Sequence, residues 1–164
     1  MTAVQAYDGS TGWQIQPFQG KKDPERMSED DLRDLLTLSD LEGPLVDWRQ
    51  KGNAVEYLGH EAVDGDDALH LKITMKDGDV IEDYLDPDTY MEIRRDVREY
   101  IRGQVRESVI DFTAYKAVNG VYFPYSIASG PKDRFSDWQH TTIERIVANA
   151  PLAPSDFALP PSLK

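Results

Sequence analysis

From residue 53 onward, the sequence consists of short runs of alternating polar and apolar residues separated by turns rich in aspartate and glycine. Alternation with a period of two is typical of a β-strand that buries one face. Asp and Gly tolerate the positive φ angles that hairpin turns need, as in "KDGD" at residues 76–79. The chain is therefore predicted to contain seven or more antiparallel strands joined by short turns.

The same alternation assigns residues to the faces of individual strands. The predicted strands cover residues 4–7, 11–16, 53–63, 68–75, 80–85, 90–100, 104–116, 121–128 and 139–148. In the fourth of these, Leu69, Leu71 and Ile73 share one face and His70 lies on the other. One step of register exchanges the two faces, so the pattern does not identify which face is concave.

A helical insertion is predicted at residues 28–51. Ser28 is a typical N-cap residue, and the three acidic residues that follow it suit the positive end of the helix dipole. The pair Gly43-Pro44 ends this helix, and a second, shorter helix is expected to end near Gly52. The preceding segment, residues 17–27, is predicted to be a polar loop.

Strands with one apolar face need a cover for that face. Either the sheet curls on itself or the two-helix insertion lies over its concave side, and the pattern leaves both arrangements open. The expected fold class is α+β and mostly antiparallel β. Residues 1–164 are predicted to form a single domain, with the insertion at about 28–51 acting as a helical lid.

The charge balance restricts the classes of partner. With 18 basic and 30 acidic side chains, the formal net charge is −12. The resulting long-range field argues against non-specific binding to DNA, RNA or anionic lipid surfaces, so no nucleic-acid partner is expected. The absence of cysteine excludes disulfides and thiolate chemistry.

Motifs that carry chemistry are weak in this sequence. Gly20-Lys21 lacks the spacing of a phosphate-binding loop, and the three histidines lack metal-ligand spacing. The acidic turns at 64–67, 77–79 and 86–88 can be calcium ligands, but hairpin turns need the same residues. No catalytic residue, cofactor or metal is predicted, and an acid-rich hydrolase is a distant alternative.

One basic cluster stands out in this acidic chain. It comprises Arg94, Arg95, Arg98, Arg102 and Arg106. Acidic residues are interleaved with these arginines, which indicates cross-strand charge pairs on a solvated face.

Five stretches spread over nearly the whole chain resemble one family. They are "AYDGSTGWQIQPFQG", "GPLVDWRQKGNAVEYLGHEAVDG", "YLDPDTYMEIR", "NGVYFPYSI" and "IERIVANAPLAPSDFALP". In these stretches the chain is similar to the outer-membrane lipoprotein-sorting proteins, the LolA-like family of periplasmic lipoprotein carriers. The resemblance implies a curved, unclosed β-barrel, or half-barrel, with helices covering its concave face.

The resemblance also implies a non-enzymatic carrier that works in the periplasm. Its cargo would be the acyl chains of a lipid or lipoprotein, and its partners would include membrane-associated proteins. The expected cavity and lid residues are Trp13, Phe18, Leu32, Leu35, Leu36, Leu45, Trp48, Leu71, Ile73, Leu85, Ile93, Phe112 and Phe123. The alternative is a β-rich scaffold or protein-interaction module with a filled core and no ligand.

The chain starts later than the family pattern. Members of the family begin with a signal peptide, an N-terminal helix and several strands, which the sequence from Met1 lacks. We therefore expect an N-terminally short form whose first strand, at 4–7 or 11–16, is an exposed edge. Such an edge can pair with another chain, so a homodimer through it is expected.

Overall fold

The computed structural model describes residues 2–101 and 103–163, without the side chains of residues 34 and 38. These residues form two compact units. One unit comprises Met1–Leu41 and Asn149–Lys164, and the other comprises Glu42–Ala148.

The first unit contains a three-stranded antiparallel sheet and a helix. Its elements are β1 (Val4–Tyr7), β2 (Gly12–Gln16), β3 (Lys21–Arg26) and α1 (Glu29–Ser39), with the strands in the order β1-β2-β3. The predicted cap is confirmed, because Ser28 Oγ accepts a hydrogen bond from the Asp31 N–H at 3.1 Å. Gly12 packs closely under this helix, because a Cβ there would lie 2.8 Å from Leu32 Cδ1 and the leucine side chain would have to shift.

The loop prediction for residues 17–27 is wrong over β3. Trp13 pairs with Arg26 and Gln16 pairs with Lys21, with a bulge between the two pairs. The β3 sequence, "KKDPER", has no apolar alternation and contains a proline, so the period-two pattern gives no signal. Proline is tolerated there because β3 is an edge strand of its sheet.

The proline-rich segment after residue 148 completes the first unit. Trp13 Nε1 donates a hydrogen bond to the Phe157 carbonyl at 3.0 Å. Arg26 Nη2 donates another to the Leu163 carbonyl at 3.2 Å. Two strands of the N-terminal sheet are thus bound to the far end of the described chain.

The second unit begins with a short helix and contains nine strands. In chain order these are α2 (Trp48–Lys51), β4 (Ala54–Val63), β5 (Asp66–Thr74), β6 (Val80–Leu85), β7 (Glu92–Ile101), β8 (Gln104–Thr113), β9 (Lys116–Val118), β10 (Val121–Phe123), β11 (Ser126–Pro131) and β12 (Gln139–Thr142). β9 and β10 pair only with each other, whereas the other seven form one antiparallel sheet in the order β12-β11-β8-β7-β6-β5-β4.

This large sheet is not closed, because β4 and β12 remain at its two edges. The predicted fold class is therefore confirmed as an open, mostly antiparallel α+β fold. The strand predicted at 121–128 is divided at Pro124 between two sheets, and the strand predicted at 139–148 ends at Thr142. The two helices of the predicted insertion belong to different units.

Candidate functional site

Cross-strand register aligns apolar side chains on one face of the seven-stranded sheet, which we call the apolar face. Its members include Val55, Leu69, Leu71, Ile73, Ile81, Leu85, Val97, Ile110, Phe112 and Ile127. Ile73 and Ile81 are buried, whereas the others remain partly exposed. The face predicted for Leu69, Leu71 and Ile73 is confirmed by their pairing with Leu85, Asp83 and Ile81.

Four of the predicted cavity residues lie together on this face, namely Leu71, Ile73, Leu85 and Phe112. Ile93 does not join them. The β6–β7 register shifts between Tyr84 and Leu85, and Ile93 packs against Val63, Ala68 and Tyr84 on the opposite side of the sheet. Alternation read from β7 alone cannot reveal a bulge of this kind.

Phe123 also lies apart from the apolar face. It is the last residue of β10 and is therefore part of the separate β9–β10 hairpin. Leu45 is partly buried in the turn before α2. Trp48 begins α2, and the guanidinium carbon of Arg49 lies 3.9 Å from the centroid of its ring.

The remaining predicted residues belong to the first unit. Trp13 is buried in β2, and Leu32 and Leu35 are partly buried on α1. Leu36 is more exposed, and Phe18 is 73% exposed in a short 3₁₀ turn after β2. Phe18 is therefore largely free of packing within the described chain.

A buried ion cluster interrupts the apolar face between Leu71 and Ile110 in the cross-strand row. Arg95 Nε donates to Asp83 Oδ1 at 2.8 Å, and Asp83 is only 1% exposed. The carboxylate Oε1 of Glu92 also lies 2.8 Å from Arg95 Nε. That contact lacks hydrogen-bond geometry, so this buried oxygen has no hydrogen-bond partner among the described residues.

The cluster contains two carboxyl groups but only one guanidinium. One positive charge cannot balance two carboxylates in a buried site, so one carboxyl group keeps its proton. Burial, reinforced by the charge of Asp83, raises the pKa of Glu92 to about 8. Burial opposes the charge of Arg95, but Asp83 and Glu92 outweigh it and raise the pKa of Arg95. The folded protein therefore holds Glu92 neutral over a range in which an unfolded chain would ionise it.

The raised pKa of Glu92 predicts a stability that falls as the pH rises. Between its ordinary pKa of 4.5 and about 8, the folded state holds one proton more than the unfolded state. The unfolding free energy should therefore decline with a limiting slope of about 1.4 kcal/mol per pH unit and become level above about pH 8.

Urea denaturation from pH 5 to 9 measures this effect, with Glu92→Gln as the reference. The amide of this variant is neutral at every pH and can still donate to Asp83. We expect wild type to lose about 1–3 kcal/mol relative to the variant over this range. Parallel pH profiles for the two proteins would show that Glu92 is ionised throughout.

The sequence analysis did not predict this cluster, although the sequence contains an indication of it. Asp83 lies between Ile81 and Leu85 at a position where β6 should be apolar. Arg95 has the matching position on β7 and pairs with Asp83 across the strands. A charged residue at such a position, opposite a residue of the other sign, indicates a buried ion pair rather than a solvated one.

The opposite face of the sheet carries a network of charged side chains and is called the polar face here. His70 lies between Glu61 and Glu82, at 2.8 Å and 3.2 Å, and stacks on Tyr84. The cross-strand charge pairs predicted for the arginine cluster are confirmed for Arg94 with Asp111, at 2.6 Å, and for Arg98 with Glu107, at 3.7 Å.

Arg95 departs from that prediction, because its partners lie on the apolar face. Arg102 lies outside the described residues. Within residues 2–101 and 103–163, no group of three or more His, Asp or Glu side chains is arranged to hold a metal ion. No helix in this part of the chain is long and apolar enough to cross a membrane.

No family model matches the chain, and no curated protein matches it. Solved structures do match it. A domain described as an outer membrane lipoprotein-sorting protein from Vibrio parahaemolyticus aligns with 90% of the chain, at a TM-score of 0.59 and 16% identity. A DUF1329 family protein from Desulfovibrio piger aligns with 90% of the chain, at a TM-score of 0.55 and 17% identity. A LolA superfamily protein from Nitrosomonas europaea aligns with 96% of the chain, at a TM-score of 0.53 and 12% identity.

The chain has a LolA-like fold. The resemblance seen in the sequence is thus confirmed at the level of the fold, which is as far as 12–17% identity reaches. The alignments cover 63%, 62% and 70% of the three neighbours, so the chain spans less than two-thirds of the first two.

Proposed function

We propose that the chain is a non-enzymatic carrier, or part of one, that binds the acyl chains of a lipid or lipoprotein. The observation that carries the proposal is the apolar face of an unclosed LolA-like sheet, on which eight of the ten apolar side chains named above remain partly exposed. An acyl chain against them would remove further apolar surface from water, worth about 25 cal/mol per Å². Such binding needs no cofactor and no catalytic residue.

The proposal places the acyl chain along the rows of the sheet that flank the buried ion cluster. Leu71 lies on one side of the cluster, and Ile110, Phe112 and Ile127 lie on the other. A saturated chain can contact both sets only where the charged groups are hydrogen-bonded to each other. The pairing of Arg95 with Asp83 meets this condition at the centre of the face.

The periplasm as location, and membrane-associated proteins as donors and acceptors of the cargo, belong to the same proposal and follow from the family resemblance. The lid role of residues 28–51 and the homodimer through an N-terminal edge strand stay predictions. β1 is an edge strand of its own sheet, which is the feature that such a dimer would use.

Polar substitution on the apolar face is expected to weaken cargo binding. Leu71→Asn and Ile127→Asn remove partly exposed apolar side chains, and each should reduce the affinity for a fluorescent fatty-acid probe about tenfold or more. Ile73 is unsuitable for this test, because it is fully buried and a polar side chain there would unfold the sheet. Probe titration and native mass spectrometry of lipid from the purified protein measure the effect.

Val80→Asn is the matched control, because Val80 is partly buried in the same sheet but lies on the polar face, opposite Arg98. It should leave probe binding unchanged. Failure of the wild-type protein to bind the probe or to retain lipid would overturn the carrier proposal. That result would favour the scaffold with a filled core.

A further inference from the structure

A groove with an excess of positive charge lies at the end of the β7–β8 hairpin. Its volume is about 780 Å³, and its lining includes Arg98, Ile101, Gln104, Arg106, Lys132 and Arg134. Among the described residues, the acidic side chains that line it are Glu107 and Asp133. Four cationic groups around one groove are unexpected in a chain with a formal net charge of −12.

The arginines of this groove meet carboxylates only in exposed ion pairs, which are weak. Arg134 lies 3.2 Å from Asp137 and 3.7 Å from Asp133, and its side chain is 63% exposed. Arg106 has Glu99 as its cross-strand register partner but makes no ion pair with another described side chain.

Arg98 lies 3.7 Å from Glu107, and both side chains are about half exposed to solvent. Lys132, by contrast, is bound to Asp96 at 2.6 Å. The arginines can therefore exchange water for a phosphate, which their planar forks bind well.

The backbone adds a donor to the same place. β11 pairs with β8 only from Ser108 onward, and the last contact along this edge is from the Lys132 N–H to the Glu107 carbonyl, at 3.2 Å. Val105 lies two residues before Glu107, so its N–H points toward the same open edge. An anion in the groove could thus accept a hydrogen bond from an unpaired strand edge.

Exposed apolar and aromatic side chains lie beside these cations. Tyr100 and Val105 are register partners at the hairpin end, and both are about half exposed. Phe135, one residue after Arg134, is 73% exposed. Aromatic and apolar side chains next to basic ones match the boundary between lipid headgroups and acyl chains.

We propose that this groove docks the chain on anionic lipid, with the phosphate headgroups held by Arg98, Arg106 and Arg134. The net charge of the chain still opposes approach from a distance. At an ionic strength of 0.1 M, however, charges more than about 10 Å apart are largely screened, so the groove itself decides the interaction at contact. The docking site lies at the hairpin end, beyond the apolar rows of the sheet, with Arg106 on the side of the apolar face and Arg98 on the polar face. It does not require that acyl chains bind to the apolar face.

Co-sedimentation of the full chain with vesicles at 0.1 M salt tests the proposal. The probes are phosphatidylglycerol–phosphatidylcholine vesicles and vesicles of phosphatidylcholine alone. We expect binding to the first and at least tenfold weaker binding to the second. The triple variant Arg98→Gln/Arg106→Gln/Arg134→Gln should lose at least tenfold in binding to the anionic vesicles. Lys132 is left unchanged, because its loss would unpair the partly buried Asp96.

Lys22→Gln serves as a control for the loss of a positive charge outside the groove, because Lys22 is exposed on β3 in the other unit. It should bind like wild type, and thermal unfolding should be the same for all three proteins. Equal binding to both kinds of vesicle, or full binding by the triple variant, overturns the proposal. So does complete release of the protein from anionic vesicles by a few millimolar inorganic phosphate, which would identify a site for free phosphate. The fatty-acid probe should still bind to the triple variant. A loss of vesicle binding with probe binding intact therefore concerns the docking site and does not test the carrier proposal.

Discussion

Arg95→Met is expected to cost about 3–5 kcal/mol of unfolding free energy, because it leaves Asp83 buried without its cationic partner. Asp83 is 1% exposed and accepts two hydrogen bonds from the Arg95 guanidinium, at 2.8 Å and 3.3 Å. Methionine has a similar length, so the lost charge rather than a large cavity dominates the effect. Urea denaturation at pH 7 measures it.

Two further variants separate the effect of the unpaired buried charge from the effect of changed packing. Arg98→Met breaks an exposed pair on the polar face, on the other side of the sheet, and should cost less than about 1 kcal/mol. The double variant Asp83→Leu/Arg95→Met removes both charges and should regain most of the stability. If the double variant is as unstable as Arg95→Met, the loss comes from packing and the unpaired charge is not its cause.

Gly130→Val is the second substitution with a large expected effect, about 2–3 kcal/mol of lost stability from overpacking. A Cβ at this position would lie 2.5 Å from Trp138 Cδ1 and 2.9 Å from the Trp138 Cα. The indole cannot simply turn away, because its Nε1 donates to the Pro131 carbonyl at 3.1 Å and its ring stacks on Phe135. The backbone after β11 must therefore move.

Chemical denaturation of Gly130→Val, Trp138→Ala and Gly130→Val/Trp138→Ala gives the comparison. Removing the indole relieves the ring contact but not the contact with the Trp138 Cα, so Gly130→Val should cost less stability in the Trp138→Ala background than in wild type, but should still cost some. Ser129→Ala, at the adjacent position on the other face, is the control and should change stability by less than about 1 kcal/mol. Wild-type stability in Gly130→Val would show that Trp138 does not approach this strand as closely as described.

The antiparallel core was predictable because its hairpins combine alternation with recognisable turns. Residues 80–85 are predicted and found as one strand, and the Asp-Gly turn before them has the positive φ that glycine allows, at Gly78. β3 was not predictable, since a strand of charged residues and proline depends on its partner β2 rather than on its own pattern. Local sequence carries little of that information.

The candidate site was predictable only in part for a related reason. Leu71, Ile73, Leu85 and Phe112 share a face because strict alternation holds along their strands. Ile93 leaves that face because the pairing of β7 with β6 contains an extra residue. The Asp83–Arg95 pair depends on which strands are neighbours, which is a property of the topology and not of either segment alone.

The hydrogen bond from Trp13 to Phe157 spans 144 positions of the chain and has a consequence for folding during synthesis. β4, β5, β6 and β7 each pair with the next strand in sequence, so this part of the large sheet can form as it leaves the ribosome. The first unit is made first but must wait for residues 149–163 before its contacts are complete. Until then β1, β2 and β3 form a small sheet without its final partner, so the first unit is the last part of this chain to complete its contacts.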